Sequence, residues 1–138
     1  MDDVIGPVAR TIGVGLPAVF VVLQILSLAL LASAALAIAR VLYRHQWSAV
    51  GLLAALTLRP AISRSGTTTL EGYFHPRQLA FAIGALALAS FRRGHPGTTW
   101  LLVALAGALH PTTALWFAIW LGVATIVGEP RLRLPVIA

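Results

Sequence analysis

The sequence contains no cysteine and no lysine, and only four of its 138 residues are acidic. Without cysteine the chain forms no disulfide, no thiolate nucleophile and no cysteine-based metal site. All ten basic residues are therefore arginine, and the formal net charge is +6. Charged residues make up only 10% of the chain, whereas 59% is hydrophobic and the mean hydropathy is +0.89. A soluble domain of this size cannot bury so much apolar surface, so we expect lipid to cover the rest.

The positive charge is distributed between hydrophobic runs. A nucleic-acid binder gathers its basic residues on one solvated patch. Here arginines such as Arg40, Arg59 and Arg92 punctuate apolar segments, which is typical of membrane proteins that follow the positive-inside bias and contact anionic headgroups. We therefore predict membrane lipid as a partner and exclude nucleic acid.

About five hydrophobic segments follow one another along the chain. The first, Leu16 to Ala39, is long enough to cross a bilayer, with Pro17 tolerated in its first turn. It is too long for a signal-peptide core and follows acidic residues, so we expect a retained span. The second, Trp47 to Leu58, reaches the length of a span only if it extends back to Val41. The remaining segments are Gln78 to Phe91, Thr98 to Leu109 and Thr112 to Val127.

Small residues in the shorter segments favour packing between helices. Two pairs have the required four-residue spacing, Ala80 with Gly84 and Ala104 with Ala108. Trp116 and Trp120 share a helix face, so we predict that they are packing residues. The sequence thus predicts an all-α, polytopic transmembrane helical bundle over residues 1–138, with some segments short or re-entrant. The expected location is a bacterial inner membrane, as part of a larger membrane protein or complex.

The arginines also predict an orientation. Six of them, at positions 40, 44, 92, 93, 131 and 133, fall on one side of a five-segment arrangement and are assigned to the cytoplasm. The polar loop 59–77 and the turn 110–113 then open together on the extracytoplasmic side. The alternative is a single helix from Thr98 to Val127 kinked at Pro111, which leaves four segments and moves the C-terminus outside.

The polar loop and the turn contain the candidate binding residues. Ionisable groups near membrane depth are functional candidates, and arginine and histidine suit a phosphate or diphosphate headgroup. The candidates of this kind are Arg59, Arg64, His75, Arg77 and His110. Arg59 and Arg77 are alternatively interfacial anchors, and His110 a helix-end histidine bonded to a backbone carbonyl.

Glu71 is the only acidic residue between positions 3 and 129. It either pairs with a nearby arginine or takes part in catalysis or substrate binding. No third ligand has suitable spacing to join His75 and His110, so we predict no metal site. The sequence identifies no cofactor.

The segment Pro60-Ala61-Ile62-Ser63-Arg64-Ser65-Gly66-Thr67-Thr68 resembles a motif of undecaprenyl-diphosphate phosphatases. These membrane enzymes hydrolyse a lipid diphosphate at the outer face. The resemblance implies that Ser63, Arg64 and Ser65 bind and attack phosphate. Alanine stands at position 61 where that family has glycine, and the family's paired-glutamate motif is absent from this sequence.

A wider similarity runs from about Asp2 to Glu129. Arginine-punctuated Ala/Leu helices, the loop end Phe74-His75-Pro76-Arg77 and the turn Ala108-Leu109-His110-Pro111 look like the core of bacterial GT-C-class glycosyltransferases that use lipid-linked sugars. Those enzymes carry an essential acid in the first extracytoplasmic loop, which implies a catalytic role for Asp2 or Asp3. The resemblance also implies a polyprenyl-phosphate ligand and a longer parent protein or a larger membrane partner.

Three functions therefore remain open: a GT-C-like glycosyltransferase core, a polyprenyl-diphosphate phosphatase, and a non-enzymatic membrane subunit or transporter fragment. The first needs a catalytic acid, the second releases phosphate, and the third copurifies with a larger membrane protein. The sequence does not specify the sugar or the lipid.

Overall fold

In a computed structural model, helices joined by short turns make up the residues described, which are 6–7, 11, 13, 15–43, 47–57 and 73–127. Within these residues no strand occurs, and the predicted all-α class is confirmed. Five helices of eleven or more residues follow in order: α1 Leu16–Leu42, α2 Trp47–Thr57, α3 Pro76–Arg92, α4 Pro96–Leu109 and α5 Pro111–Val127.

Helix α1 has 27 residues and begins with proline in its first turn, where the missing N–H costs nothing. Helix α1 ends at Leu42. The next residue, Tyr43, has an extended backbone (φ −124°, ψ 135°), and its N–H donates to the carbonyl of Ala39 at 2.9 Å. Val41 and Leu42 therefore belong to α1, and the predicted extension of the second segment back to Val41 is wrong. Helix α2 begins at Trp47 and has 11 residues, too few to cross a bilayer alone.

Helix α3 is the centre of the fold because it packs against α1, α4 and α5. Its buried face is made of small residues, and a Cβ added at Gly84 would overlap the ring of Phe117 on α5. The predicted close approach at Ala80 and Gly84 is confirmed, since both are buried in this contact region. Ala104 and Ala108 are exposed, so the second predicted pair does not pack within the chain.

The chain reverses at His110, where the backbone is extended (φ −152°, ψ 94°) between α4 and α5. Ala106 then packs with Ala114, and Val103 packs with Leu121 further from the turn. These pairs define an antiparallel helical hairpin. The alternative of one kinked helix over 98–127 is therefore wrong, because Pro111 opens a new helix instead of bending the old one.

The turn predicted at 92–97 has the geometry of a helix C-cap. Gly94 has a positive φ of 78°, its N–H donates to the carbonyl of Phe91, and the N–H of His95 donates to the carbonyl of Ser90. These two bonds form a Schellman motif, which satisfies the last carbonyls of α3. These bonds end α3, and α4 begins at Pro96, two residues after Gly94.

Large apolar side chains cover much of the surface. Helix α5 alone exposes Leu115, Trp116, Ile119, Trp120 and Val123 along one stripe. Trp116 and Trp120 are 67% and 66% exposed, so the prediction that they pack inside the chain is wrong. Contiguous apolar surface of this kind is rare on soluble monomers and marks contact with another protein or with lipid.

Of the described helices, α1 is long and apolar enough to cross a membrane, whereas α4 and α5 are apolar but shorter. Hydroxyl groups within the helices are satisfied locally. Those of Ser27, Ser33 and Thr125 donate to the carbonyl four residues earlier, at 2.7–2.8 Å. Such bonds let a hydroxyl lie among apolar groups without an external partner.

Candidate functional site

Three of the predicted site residues, His75, Arg77 and His110, lie in the described part of the chain. All three are half-buried. The other predicted residues lie outside it: the acids Asp2, Asp3 and Glu71, and the phosphate-binding candidates Arg59, Ser63, Arg64 and Ser65.

His75 and His110 meet at one end of the bundle. Their ring centroids are 6.5 Å apart, with the rings inclined at 62° in an edge-to-face arrangement. The meeting follows from the topology, because α3 and α5 run in the same direction and the antiparallel α4 connects them. His75 and His110 therefore lie at the same end of the bundle, as expected, whereas the extracytoplasmic side stays a prediction and residues 59–72 lie outside the described part of the chain.

Each of these histidines also caps the helix that follows it. Nδ1 of His75 accepts the backbone N–H of Arg77 at 3.2 Å, and Nδ1 of His110 accepts the N–H of Thr113 at 3.3 Å. The Thr113 hydroxyl lies 2.8 Å from the same Nδ1. His110 is thus a helix-end histidine bonded to the backbone, as the alternative reading had it, but its partner is an amide N–H of the next helix and not a carbonyl.

The capping bonds determine where each ring carries its proton. A backbone N–H only donates, so Nδ1 must offer a lone pair, and the neutral ring carries its hydrogen on Nε2. Each histidine thus retains an Nε2–H group for a further acceptor. The two rings also lie at the N-termini of α3 and α5, where unsatisfied amides and the helix dipole favour anions.

His75 is held in place by the residue before it. Phe74 is only 7% exposed, and its ring centroid lies 6.1 Å from that of Phe20 on α1. This contact attaches the start of α3 to the N-terminal part of α1. The position of His75 therefore depends on three helices: α1 through Phe74, its own helix α3, and α5 through His110.

Gln78 is a polar residue at this end that the sequence reasoning did not select. Its side chain is 6% exposed, and neither its Oε1 nor its Nε2 has a hydrogen-bond partner among the described residues. A buried amide left in this state is costly and calls for a ligand, a water or another segment to satisfy it. The available signal was one amide at the start of the otherwise apolar segment 78–91.

Within the residues that the structure describes, no group of three or more histidine, aspartate or glutamate side chains is placed to hold a metal ion. The donor set at this end consists of ring N–H groups, an amide and a guanidinium. Hydrogen-bond donors of this kind suit an oxygen-rich anion.

Neither the protein-family models, nor the curated proteins, nor the solved structures contain a match to this chain. The resemblances to phosphatases and glycosyltransferases therefore stay predictions.

Cysteines that replace His75 and Thr112 are expected to crosslink in membranes with a short bifunctional reagent. Thr112 follows His110 by two residues, and His110 already contacts His75. Because the natural chain has no cysteine, only the introduced pair reacts. The control pair replaces His75 and Gly97. These residues lie at the starts of α3 and α4, and because the two helices are antiparallel, the starts are at opposite ends of the bundle. Crosslinking of the control with equal yield, or of neither pair, would contradict the described end of the bundle.

Proposed function

We propose that this chain is a polytopic inner-membrane protein that binds the phosphate headgroup of a polyprenyl lipid at the His75–His110 end. The observation that carries the proposal is the 6.5 Å approach of two capping histidines, each of which retains an Nε2–H donor. The proposed activity is that of a GT-C-like glycosyltransferase core which uses a polyprenyl-phosphate-linked sugar at the extracytoplasmic face.

Three features support a membrane location with several crossings. Helix α1 has the length and composition of a span. Helices α4 and α5 form an apolar hairpin of 14 and 17 residues, which suits contact with lipid better than contact with water. The exposed stripe on α5 gives lipid a continuous apolar surface.

The spacing of the site supports a phosphate-sized ligand. The two ring centroids lie 6.5 Å apart, close enough for one small anion to contact both rings. The buried amide of Gln78, in the first turn of α3, adds further donor capacity.

The phosphatase remains the second candidate. The run Ser63-Arg64-Ser65-Gly66 favours it, because a guanidinium flanked by hydroxyls and a glycine suits phosphate. In this reading Glu71 or a serine of the run carries the reaction, whereas the glycosyltransferase reading assigns the catalytic acid to Asp2 or Asp3. Release of inorganic phosphate from a polyprenyl diphosphate by the purified chain separates the two candidates.

The double variant His75→Ser/His110→Ser is expected to bind labelled polyprenyl phosphate at least about tenfold more weakly than the natural chain. Serine is a good N-cap, so the helix starts stay satisfied while both Nε2–H donors are lost. A hydrogen bond to a charged group contributes about 1.5–3 kcal/mol to the binding free energy, and about 1.4 kcal/mol changes the dissociation constant tenfold. The measurement is the dissociation constant in nanodiscs.

The chain provides a matched control in His95, which also precedes a proline at a helix start. His95 is exposed, makes no side-chain capping bond and lies at the opposite end of α4. His95→Ser is expected to leave the dissociation constant unchanged. An equal loss in the control, an unchanged double variant, or the absence of binding by the natural chain would refute the phosphate site.

A further inference from the structure

At the other end of the bundle, a groove of about 280 Å³ separates α1 from α5. Both helices pack on α3, but among the described residues they do not pack extensively on each other. The floor of the groove is formed by the nearly inaccessible Phe91 and Leu121. Its rim contains Leu42, Trp120 and Arg92, all of which are exposed.

The walls of this groove are apolar, and its charge is positive. Val41, Leu42, Leu88 and Ala124 line it together with the two floor residues, whereas Arg92 supplies the lining with a guanidinium. Two further exposed arginines, Arg40 and Arg93, lie in the last turn of α1 and at the end of α3. No carboxylate occurs among the residues that the structure describes, so none of the described groups neutralises this end.

We propose that the groove binds one anionic phospholipid, with an acyl chain between α1 and α5 and the headgroup phosphate on Arg92. The apolar walls exclude a polar ligand, and the guanidinium at the rim complements a phosphate diester at the depth where headgroups lie. A helix from a second copy fits less well, because its packing would cover the charge of Arg92 with apolar groups.

This site is separate from the proposed polyprenyl-phosphate site, which lies at the opposite end of α3. Its function is structural: the lipid fills the gap that the two helices leave over α3. The groove therefore selects its occupant by charge, whereas the part of the exposed α5 stripe that does not line the groove, such as Trp116, contacts lipid without such selection.

The test uses tryptophan quenching in phosphatidylcholine vesicles that contain either brominated phosphatidylglycerol or brominated phosphatidylcholine. In one variant Trp120 is the sole tryptophan, with Trp47, Trp100 and Trp116 replaced by phenylalanine. In the matched variant Trp116 is the sole tryptophan, which is equally exposed but does not line the groove. We expect phosphatidylglycerol to quench Trp120 with about fivefold higher relative affinity, as expected for one arginine near an anionic headgroup, and Trp116 with no preference.

Arg92→Gln is expected to remove the preference at Trp120, whereas Arg93→Gln retains it, because Arg93 is adjacent and exposed but does not line the groove. Equal quenching of Trp120 by the two lipids would overturn the proposal and leave a protein segment as the occupant. An equal preference at Trp116, or an equal loss in both arginine variants, would also overturn it, since general attraction of anionic lipid to a cationic protein then explains the result.

Discussion

The variant Gly84→Ala is expected to unfold more easily than the natural chain, by about 1–3 kcal/mol. The added Cβ would overlap the Phe117 ring, including the ring carbon closest to its own backbone. Phe81, on the same helix as Gly84, also contacts this ring, with centroids 5.6 Å apart. Helices α3 and α5 must therefore separate. Reversible unfolding in mixed detergent micelles, followed by circular dichroism, measures the loss.

The matched control is Gly122→Ala. Gly122 also lies inside a helix, but a Cβ there meets no atom within 4 Å. Since alanine in a helix interior is favoured over glycine by about 0.5–1 kcal/mol, the control is expected to be neutral or more stable. A second variant, Gly84→Ala with Phe117→Leu, should recover part of the lost stability. A stable Gly84→Ala protein would show that α3 and α5 do not approach closely at this point.

The second large effect concerns sidedness. Single cysteines at Thr68 and Gly97 are expected to react with a membrane-impermeant maleimide from opposite faces, Thr68 from outside the cell and Gly97 from inside. Gly97 is exposed and its added Cβ meets no atom, whereas the neighbouring Gly94 has a positive φ that a cysteine would strain. Labelling is close to all-or-none for this arrangement, because the bilayer blocks the reagent.

A third cysteine, at Ser33, provides the control. Ser33 is exposed on the surface of α1, well inside the helix. If α1 crosses the membrane, this position contacts lipid and stays unlabelled until detergent is added. Labelling of Thr68 and Gly97 from the same side would refute the alternating arrangement, and rapid labelling of Ser33 in intact membranes would refute the α1 span.

The sequence predicted helix boundaries well because local chemistry decides them. Proline at a first helical turn, histidine before it and glycine in a left-handed turn each act through neighbouring backbone groups. The starts at Pro76, Pro96 and Pro111 and the turn at Gly94 all lie within two residues of the predicted limits. The error at Val41 arose where such signals are missing, since the polar residues 44–46 separate α1 from α2 without a proline or glycine that marks the last turn of α1.

Which face of a helix packs inside the protein was harder to predict. A helix with apolar residues all round has no polar face to point towards solvent, so its sequence does not separate neighbours within the protein from lipid. Ala104, Trp116 and Trp120 were misassigned for this reason.

The proximity of His75 and His110 was predictable, because counting alternate segments brings their turns to one end. The buried amide of Gln78 was not predictable, because its burial depends on how three other helices pack around α3.

The order of contacts along the chain also suggests an order of assembly. Helices α3, α4 and α5 are consecutive, and each packs on the other two. Their contacts close only short loops, which costs little conformational entropy and speeds folding. The contact between α1 and α3 closes a much longer loop, residues 43 to 75, so it forms at a higher cost in conformational entropy than the contacts among α3, α4 and α5. The C-terminal three helices are thus expected to form a kinetic nucleus, on which α1 docks last although it is synthesised first.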